Sequence, residues 1–306
     1  MPEQTSTYHV PVLLEQVRLA AQGSRRAVDG TLGDGGHAAA LLSNGAEVLG
    51  IDRDPDAIAL SRQRLGDASI QYLQAPYASP EALVAVTRFE PDFILLDLGV
   101  SSRQLDETSR GFTFRPGAPL GMRMEGAGEN ASDLLNHADG AALERIFRDY
   151  GDERRARRLA AEIVRRRARQ PFAVSDDLVN AIRAVLGPKT GPPEFARLFQ
   201  AVRIAVNHEL EQLASALPPF RDALNPGGRL SIITYHSGED RLVKHAFREW
   251  ASSCVCPPGL PVCTCRGRSL GRVEPRRPLL PDEQELKTNP RARSAKLRTF
   301  VVNEAA

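Results

Sequence analysis

The chain has 306 residues, 42% of them apolar, and a formal net charge of +2. That is enough for one large domain with an insertion or for two ordinary domains, and enough apolar surface to bury a core, which excludes wholesale disorder. No apolar run approaches the ~18 residues that span a bilayer. The opening M-P-E-Q-T-S-T-Y-H-V has neither a basic nor an apolar leader region, so a cytoplasmic protein is expected.

In chain order, Arg26–Asp29 reads as the end of a short buried strand, and 37–43 as a helix stopped by Asn44-Gly45. Glu47–Asp52 is a second strand. Asp54-Pro55 opens a helix to about Leu65, with a capping acid and a proline in the first helical position. Ile70–Gln74 is a third strand, Ser79-Pro80 opens a helix to about Arg88, and 92–98 is a fourth, almost wholly apolar strand. Apolar strands alternating with helices predict an α/β fold with a parallel sheet covered on both faces.

The alternation stops at about Ser109. A loop follows, then helical spacing over 141–150, 153–169, Ser175–Leu186 and 193–206. Strand character returns at 228–234 after the turn Asn225-Pro226-Gly227-Gly228. A helix over 239–250, a cysteine-rich loop and a strand at Lys296–Val302 complete the chain. The expected organisation is a doubly wound sheet formed by 1–108 and 207–306, interrupted by a mostly helical insertion at 109–206.

Charge is unevenly placed. Residues 144–169 hold ten Arg and five acids, and residues 266–298 hold ten Lys/Arg and four acids, leaving the rest of the chain strongly acidic. Two basic blocks on an acidic body fit a polyanionic partner, though solvated helix faces give the same pattern.

The stretch V-D-G-T-L-G-D-G-G-H, residues 28–37, joins the first strand to the first helix. Glycines at such a turn let backbone approach a ligand, and the helix start offers free N–H groups. Gly33-x-Gly35-x-x-Ala38 with Asp52 nineteen residues after Gly33 also meets the loose dinucleotide pattern. Asp52 closes the second strand, where a carboxylate can accept both hydroxyl hydrogens of a ribose. No G-x-x-x-x-G-K-[ST] is present, which disfavours a nucleoside triphosphate. A dinucleotide-dependent oxidoreductase accounts for the turn and Asp52, and a non-catalytic RNA-binding protein accounts for the charge. Neither accounts for both.

Eight stretches stand in order: V-D-G-T-L-G-D-G-G-H, I-D-R-D-P, L-D-L-G-V-S-S-x-Q-L-D, R-G-F-T-F, F-Q-A-V-R-I-x-V-N-x-E-L, P-G-G-R-L-S-I-I, Y-H-S-x-E-D-R and N-P-R-A-R-S-A-K-L-R. From Tyr8 to Arg298 the chain resembles the bacterial small-subunit ribosomal RNA methyltransferase H family. The resemblance implies a class I (Rossmann-like) methyltransferase fold with a helical insertion. It also implies S-adenosyl-L-methionine as cofactor, and as reaction the N4-methylation of a cytidine in the decoding region of 16S rRNA, within an assembled or nearly assembled small subunit. It assigns cofactor contacts to Gly35, Gly36, His37, Asp52, Tyr77, Asp97 and Gln104. The glycines then approach the methionine moiety, Asp52 holds the ribose, and Tyr77, where the family more often has Phe, packs on adenine. Gly121 stands where the family usually has Asp.

Cytosine N4 is a poor nucleophile because its lone pair is delocalised into the ring, so an acceptor near Asp97 is expected to draw on an N4–H. Many amino-methyltransferases, DNA enzymes among them, place an Asn/Asp-Pro-Pro-aromatic run after the fourth strand. Here the run is Asp97-Leu98-Gly99-Val100-Ser101-Ser102, so Asp97, Ser101 and Ser102 are the candidates for contact with the amine. Tyr235-His236-Ser237 ends the fifth predicted strand and faces the same crevice, with His236 as an RNA contact, a proton acceptor or a structural residue. No G-x-S-x-G accompanies it, which rejects a serine hydrolase. The arginines of 154–169 and the tail segment 289–298 are candidate phosphate grips. All four cysteines lie between Cys254 and Cys265 as two C-x-C pairs. They fit either a Cys₄ zinc site or a reduced thiol-bearing loop, and nothing in the family's chemistry calls for a metal.

Overall fold

The structure is a computed structural model that describes residues 10–66, 69–125, 128–257 and 262–304. Tyr8 and His9, which open the resembling span, lie outside the described residues. The chain divides into two units, one from the described residues of Met1–Gly99 and Leu210–Ala306, the other Val100–Glu209.

Among its described residues the first unit has seven strands: β1 (Arg26–Asp29), β2 (Glu47–Asp52), β3 (Ile70–Gln74), β4 (Phe93–Asp97), β5 (Arg229–Thr234), β6 (Gly271–Val273) and β7 (Lys296–Val302). Their order is β3-β2-β1-β4-β5-β7-β6. β1 to β5 pair in parallel, and β7 runs antiparallel to both neighbours. The four residues Phe93 to Leu96 of β4 are all fully buried. Ile94 and Leu96 join a core cluster with Phe220, Phe247 and Phe300, while Phe93 and Leu95 join a second cluster with Val17, Leu41 and Leu297. Alternation of side chains along a strand thus supplies both faces of the sheet from one apolar run.

Helices Gly36–Ser43, Pro55–Leu65 and Pro80–Phe89 make the crossovers. Asp54 and Ser79 cap two of them, accepting from Asp56 N and Ala82 N, each with proline in the first turn. The helix Glu209–Ala223, a stretch to which the sequence reading assigns no element, contains Pro218 and Pro219; Leu213, Ala216, Leu217 and Phe220 hold it against the sheet despite the missing N–H groups.

The second unit has its own core, centred on residues such as Leu135, Phe147, Leu159, Phe172, Leu178 and Val202. The helix expected over 141–150 is α-helical only at Gly140–Arg145 and continues as a π turn, Ile146–Tyr150. The helix expected from 153 starts at Ala156 instead. Glu153 is buried and accepts from Arg155 N and Arg197 Nη2, which fixes the preceding turn. At Gly121 a Cβ would lie 2.5 Å from the carbonyl oxygen of Arg110, so the local backbone leaves no room for the family's usual Asp.

Candidate active site

The carboxyl ends of β1, β2, β4 and β5 form one edge of the first unit. Chain order reverses between β1 and β4, and in open α/β sheets ligands bind beyond the strand ends at such a switch point. Asp29, Asp52 and Asp97 are the last residues of β1, β2 and β4, and Tyr235-His236 directly follows β5.

The glycine turn is braced from below. Gly35 has φ +76° and caps the helix Gly36–Ser43, and a Cβ there would meet Leu65 Cδ1 at 2.8 Å and Ser61 Oγ at 2.9 Å. Both the backbone sign and the close approach of the helix Pro55–Leu65 therefore require glycine. Ser61 Oγ donates to Gly33 O at 2.9 Å. Asp52 accepts from Gly33 N and from Asp54 N, each at 2.8 Å and each on a different carboxylate oxygen. Four lone-pair sites on that carboxylate leave two for a ligand. Burial pushes the Asp52 carboxyl up, and the two backbone N–H groups only partly offset it.

Asp97 is the hub. Its backbone N–H donates to Thr31 Oγ1 at 2.6 Å, its Oδ1 accepts from the Tyr235 hydroxyl at 2.8 Å, and its Oδ2 lies 3.4 Å from His37 Nε2. Burial, then the neighbouring Asp97 charge, push the Tyr235 hydroxyl far above the usual tyrosine range, so it is a neutral donor. Burial opposes a charged His37, but Asp97, Asp29 and Asp34 outweigh it and the imidazole is raised overall. Asp29 is fully buried, and desolvation pushes its carboxyl up to about 6 against the opposing pull of His37.

His236 caps the helix Ser237–Ala251, its Nδ1 accepting from Gly238 N at 3.2 Å and Glu239 N at 3.4 Å. Its Nε2 sits 3.2 Å from Glu239 Oε1. Glu239 in turn accepts from Tyr235 N and His236 N, fixing the turn after β5. This sets the ring as a helix cap. Tyr77, after β3, is half-buried with its ring centroid 6.3 Å from that of Phe220. Ser101, Ser102 and Gln104 belong to the second unit, where Ser101 Oγ accepts from Gln104 N at 3.2 Å and Gln104 Oε1 accepts from Ser101 N at 3.0 Å, a capping box for the helix Ser102–Asp106.

Asp29 Oδ2, both ring nitrogens of His37 and Nε2 of His236 are buried without an aligned hydrogen-bond partner. Buried polar atoms are rarely left so, and those of Asp29 and His37, at the two ends of the glycine turn, fit a polar ligand such as an adenosyl cofactor. Sequence reasoning passed over Asp29, Thr31 and Glu239 as site residues, and of Tyr235-His236-Ser237, which it placed at the crevice, it gave a role only to the histidine. Asp29 was visible inside the quoted glycine stretch, whereas Thr31 and Glu239 act through contacts that only the fold creates.

The strand order and the ligand crevice at the switch point are those of a class I (Rossmann-like) α/β fold. The chain belongs to the MraW methylase family, whose sequence profile matches residues 6–303. It is 57% identical over 302 residues to a Ribosomal RNA small subunit methyltransferase H of Gemmatimonas aurantiaca, covering 97% of this chain and 96% of that one. It is 46% identical to the protein of the same name from Heliobacterium modesticaldum, covering 95% and 97%. Among solved structures, an rRNA methylase from Streptococcus thermophilus aligns at 12% identity and TM-score 0.40 over 95% and 94% of the two chains, a likeness too distant to carry residue roles. Among the described residues no helix is long and apolar enough to cross a membrane.

Proposed function

We infer that the protein transfers the methyl group of S-adenosyl-L-methionine to N4 of a cytidine in the decoding region of 16S rRNA, acting in the cytoplasm on an assembled or nearly assembled small subunit. The observation that carries this reading is the carboxylate of Asp97, hydrogen-bonded by Tyr235 and 3.4 Å from His37 Nε2 at the switch point of the sheet, and accompanied by the ribose-type acid Asp52.

The cofactor, when bound, supplies a methyl group already activated by its sulfonium. Asp52 holds the ribose hydroxyls through its remaining lone pairs, Gly35 and Gly36 let backbone approach the methionine moiety, and Tyr77 packs on adenine. Asp97 accepts an N4–H of the target cytidine, which localises the nitrogen lone pair, and it takes the proton that the amine must lose when the new C–N bond forms. Tyr235 keeps that carboxylate oriented, and His37 stands beside it as a cofactor contact. The roles of Ser101, Ser102 and Gln104 rest on the family resemblance, and that of His236 on its place after β5.

The insertion contributes RNA grip through a subset of its arginines. In the helix Ala156–Arg167, Arg165 and Arg166 pair with Glu162, and Arg167 donates to the carbonyls of Leu135 and Ala138. The side chains of Arg154, Arg157, Arg158 and Arg169 are exposed with no partner among the described residues, so these four are the phosphate contacts. In the tail, Lys296 and Arg298 pair with Asp240 at 3.2 and 2.7 Å, which removes them from the candidate grips and leaves Arg293 exposed. Nucleoside analysis of 16S rRNA from cells with and without the gene tests the reading. N4-methylated cytidine should vanish without the gene and return with it, and its persistence without the gene would refute the assignment.

A further inference from the structure

The helix Ser237–Ala251 and β6 are joined by residues 252–270, of which 258–261 lie outside the described residues. None of the described residues in this connection is buried, so it has no apolar core to hold its limbs together. Yet its four cysteine sulfurs all lie within 4.8 Å of one another. Cys263 Sγ is 3.8 Å from both Cys254 Sγ and Cys256 Sγ, and 3.4 Å from Cys265 Sγ. No disulfide joins them.

We propose that Cys254, Cys256, Cys263 and Cys265 bind a single Zn²⁺ ion as a structural tetrathiolate. A tetrahedron with Zn–S bonds of ~2.3 Å has edges of ~3.8 Å; the contacts of Cys263 with Cys254 and Cys256 match that length, the one with Cys265 is shorter at 3.4 Å, and no pair exceeds 4.8 Å. Contacts among neutral thiols are weak, and with Cys254 and Cys263 exposed and Cys256 and Cys265 only half-buried the thiols gain little from burial, so a metal is the interaction strong enough to gather the two limbs of the loop. Val255 N donates to Cys265 Sγ at 3.3 Å, the kind of backbone contact that orients and stabilises a metal-bound thiolate. Each thiol releases its proton on binding, leaving a site of net charge −2 in a loop that also carries Arg266 and Arg268. Arg266 meanwhile donates to Ser252 O at 3.0 Å, so the ion and this arginine pin the same stretch of chain to the end of the helix. The ion lies outside the methyl-transfer chemistry and fixes the course of the connection into β6.

The test uses the full chain, purified without added metal, with zinc measured by elemental analysis and apo protein reloaded with Zn²⁺ or Co²⁺ alone. About one zinc per chain is expected, falling roughly tenfold or more in the Cys256→Ser/Cys263→Ser double variant. Cobalt should give the intense visible absorption of a tetrahedral tetrathiolate in the native chain and not in the variant. Because none of the four cysteines belongs to the apolar core, the variant should keep the thermal midpoint of the native core within a few degrees, and a folded variant separates loss of ligand from loss of fold. Four free thiols with neither zinc nor a cobalt spectrum, disulfides between the pairs, or iron in place of zinc would each overturn the proposal.

Discussion

Tyr235 donates its hydroxyl hydrogen to Asp97 Oδ1 across 2.8 Å, joining the ends of β5 and β4. The phenol cannot ionise in this setting, so the bond orients the carboxylate without neutralising it. Tyr235→Phe keeps the ring and deletes that donor. A hydrogen bond to a charged group is worth about 1.5–3 kcal/mol, so turnover should fall ~10- to 100-fold while the dissociation constant for cofactor changes less than ~3-fold. Asp97→Asn removes the proton acceptor and should cost ~100-fold or more. Single-turnover methyl transfer alongside calorimetric cofactor binding separates the two. Unchanged turnover in both variants would remove Asp97 from the chemistry.

Asp52 presents a different signature. Its two oxygens are fixed by Gly33 N and Asp54 N, so it is preorganised for a diol. Asp52→Ala should weaken cofactor binding ~10- to 100-fold, with turnover at saturating cofactor nearly native. Equal binding by variant and native protein would place the ribose elsewhere.

The exposed arginines predict a salt response. Changing Arg154, Arg157, Arg158 and Arg169 together to Gln should weaken RNA binding. It should also lower the slope of log affinity against log salt by up to ~0.7–0.9 for each phosphate no longer neutralised. Arg167→Gln, by contrast, deletes bonds to the carbonyls of Leu135 and Ala138 and should lower thermal stability with little change in that slope. Filter-binding titrations across a range of salt, with melting curves, distinguish the two behaviours.

Asp29 makes stability depend on pH in a defined direction. Its carboxyl titrates at about 6 in the fold and near ~3.9 in an unfolded chain. Between those values the native state holds a proton that the unfolded chain has lost. Its contribution to stability is therefore greatest at low pH and declines as pH rises from ~4 to ~6, by about 3 kcal/mol. Asp29→Asn is neutral throughout, so its stability relative to the native protein should climb over that window and then level off. Denaturant unfolding at several pH values measures it, and a difference independent of pH would contradict the burial argument.

Much of this was legible in the sequence because each feature was written locally. The apolar run of β4, the Asp54-Pro55 and Ser79-Pro80 helix starts, and the strand-ending Asp52 all sit where residue type and spacing place them. β6 escaped because it is three residues long and exists only by pairing with β7. The helix Glu209–Ala223 escaped because two prolines argue against a helix until its buried face is known. Counting arginines overstated the free basic groups, since the guanidinium groups of Arg155, Arg166 and Arg167 are engaged by carbonyls or Glu162. Nothing local marks Tyr235 as the partner of Asp97, 138 residues away in the chain.

The most direct test of the central claim is transfer of labelled methyl from S-adenosyl-L-methionine, by purified protein, to small ribosomal subunits taken from cells lacking this gene, followed by nucleoside analysis. Label in N4-methylated cytidine of 16S rRNA, absent with Asp97→Asn, is the predicted result. Tight cofactor binding with no label in that nucleoside would contradict it.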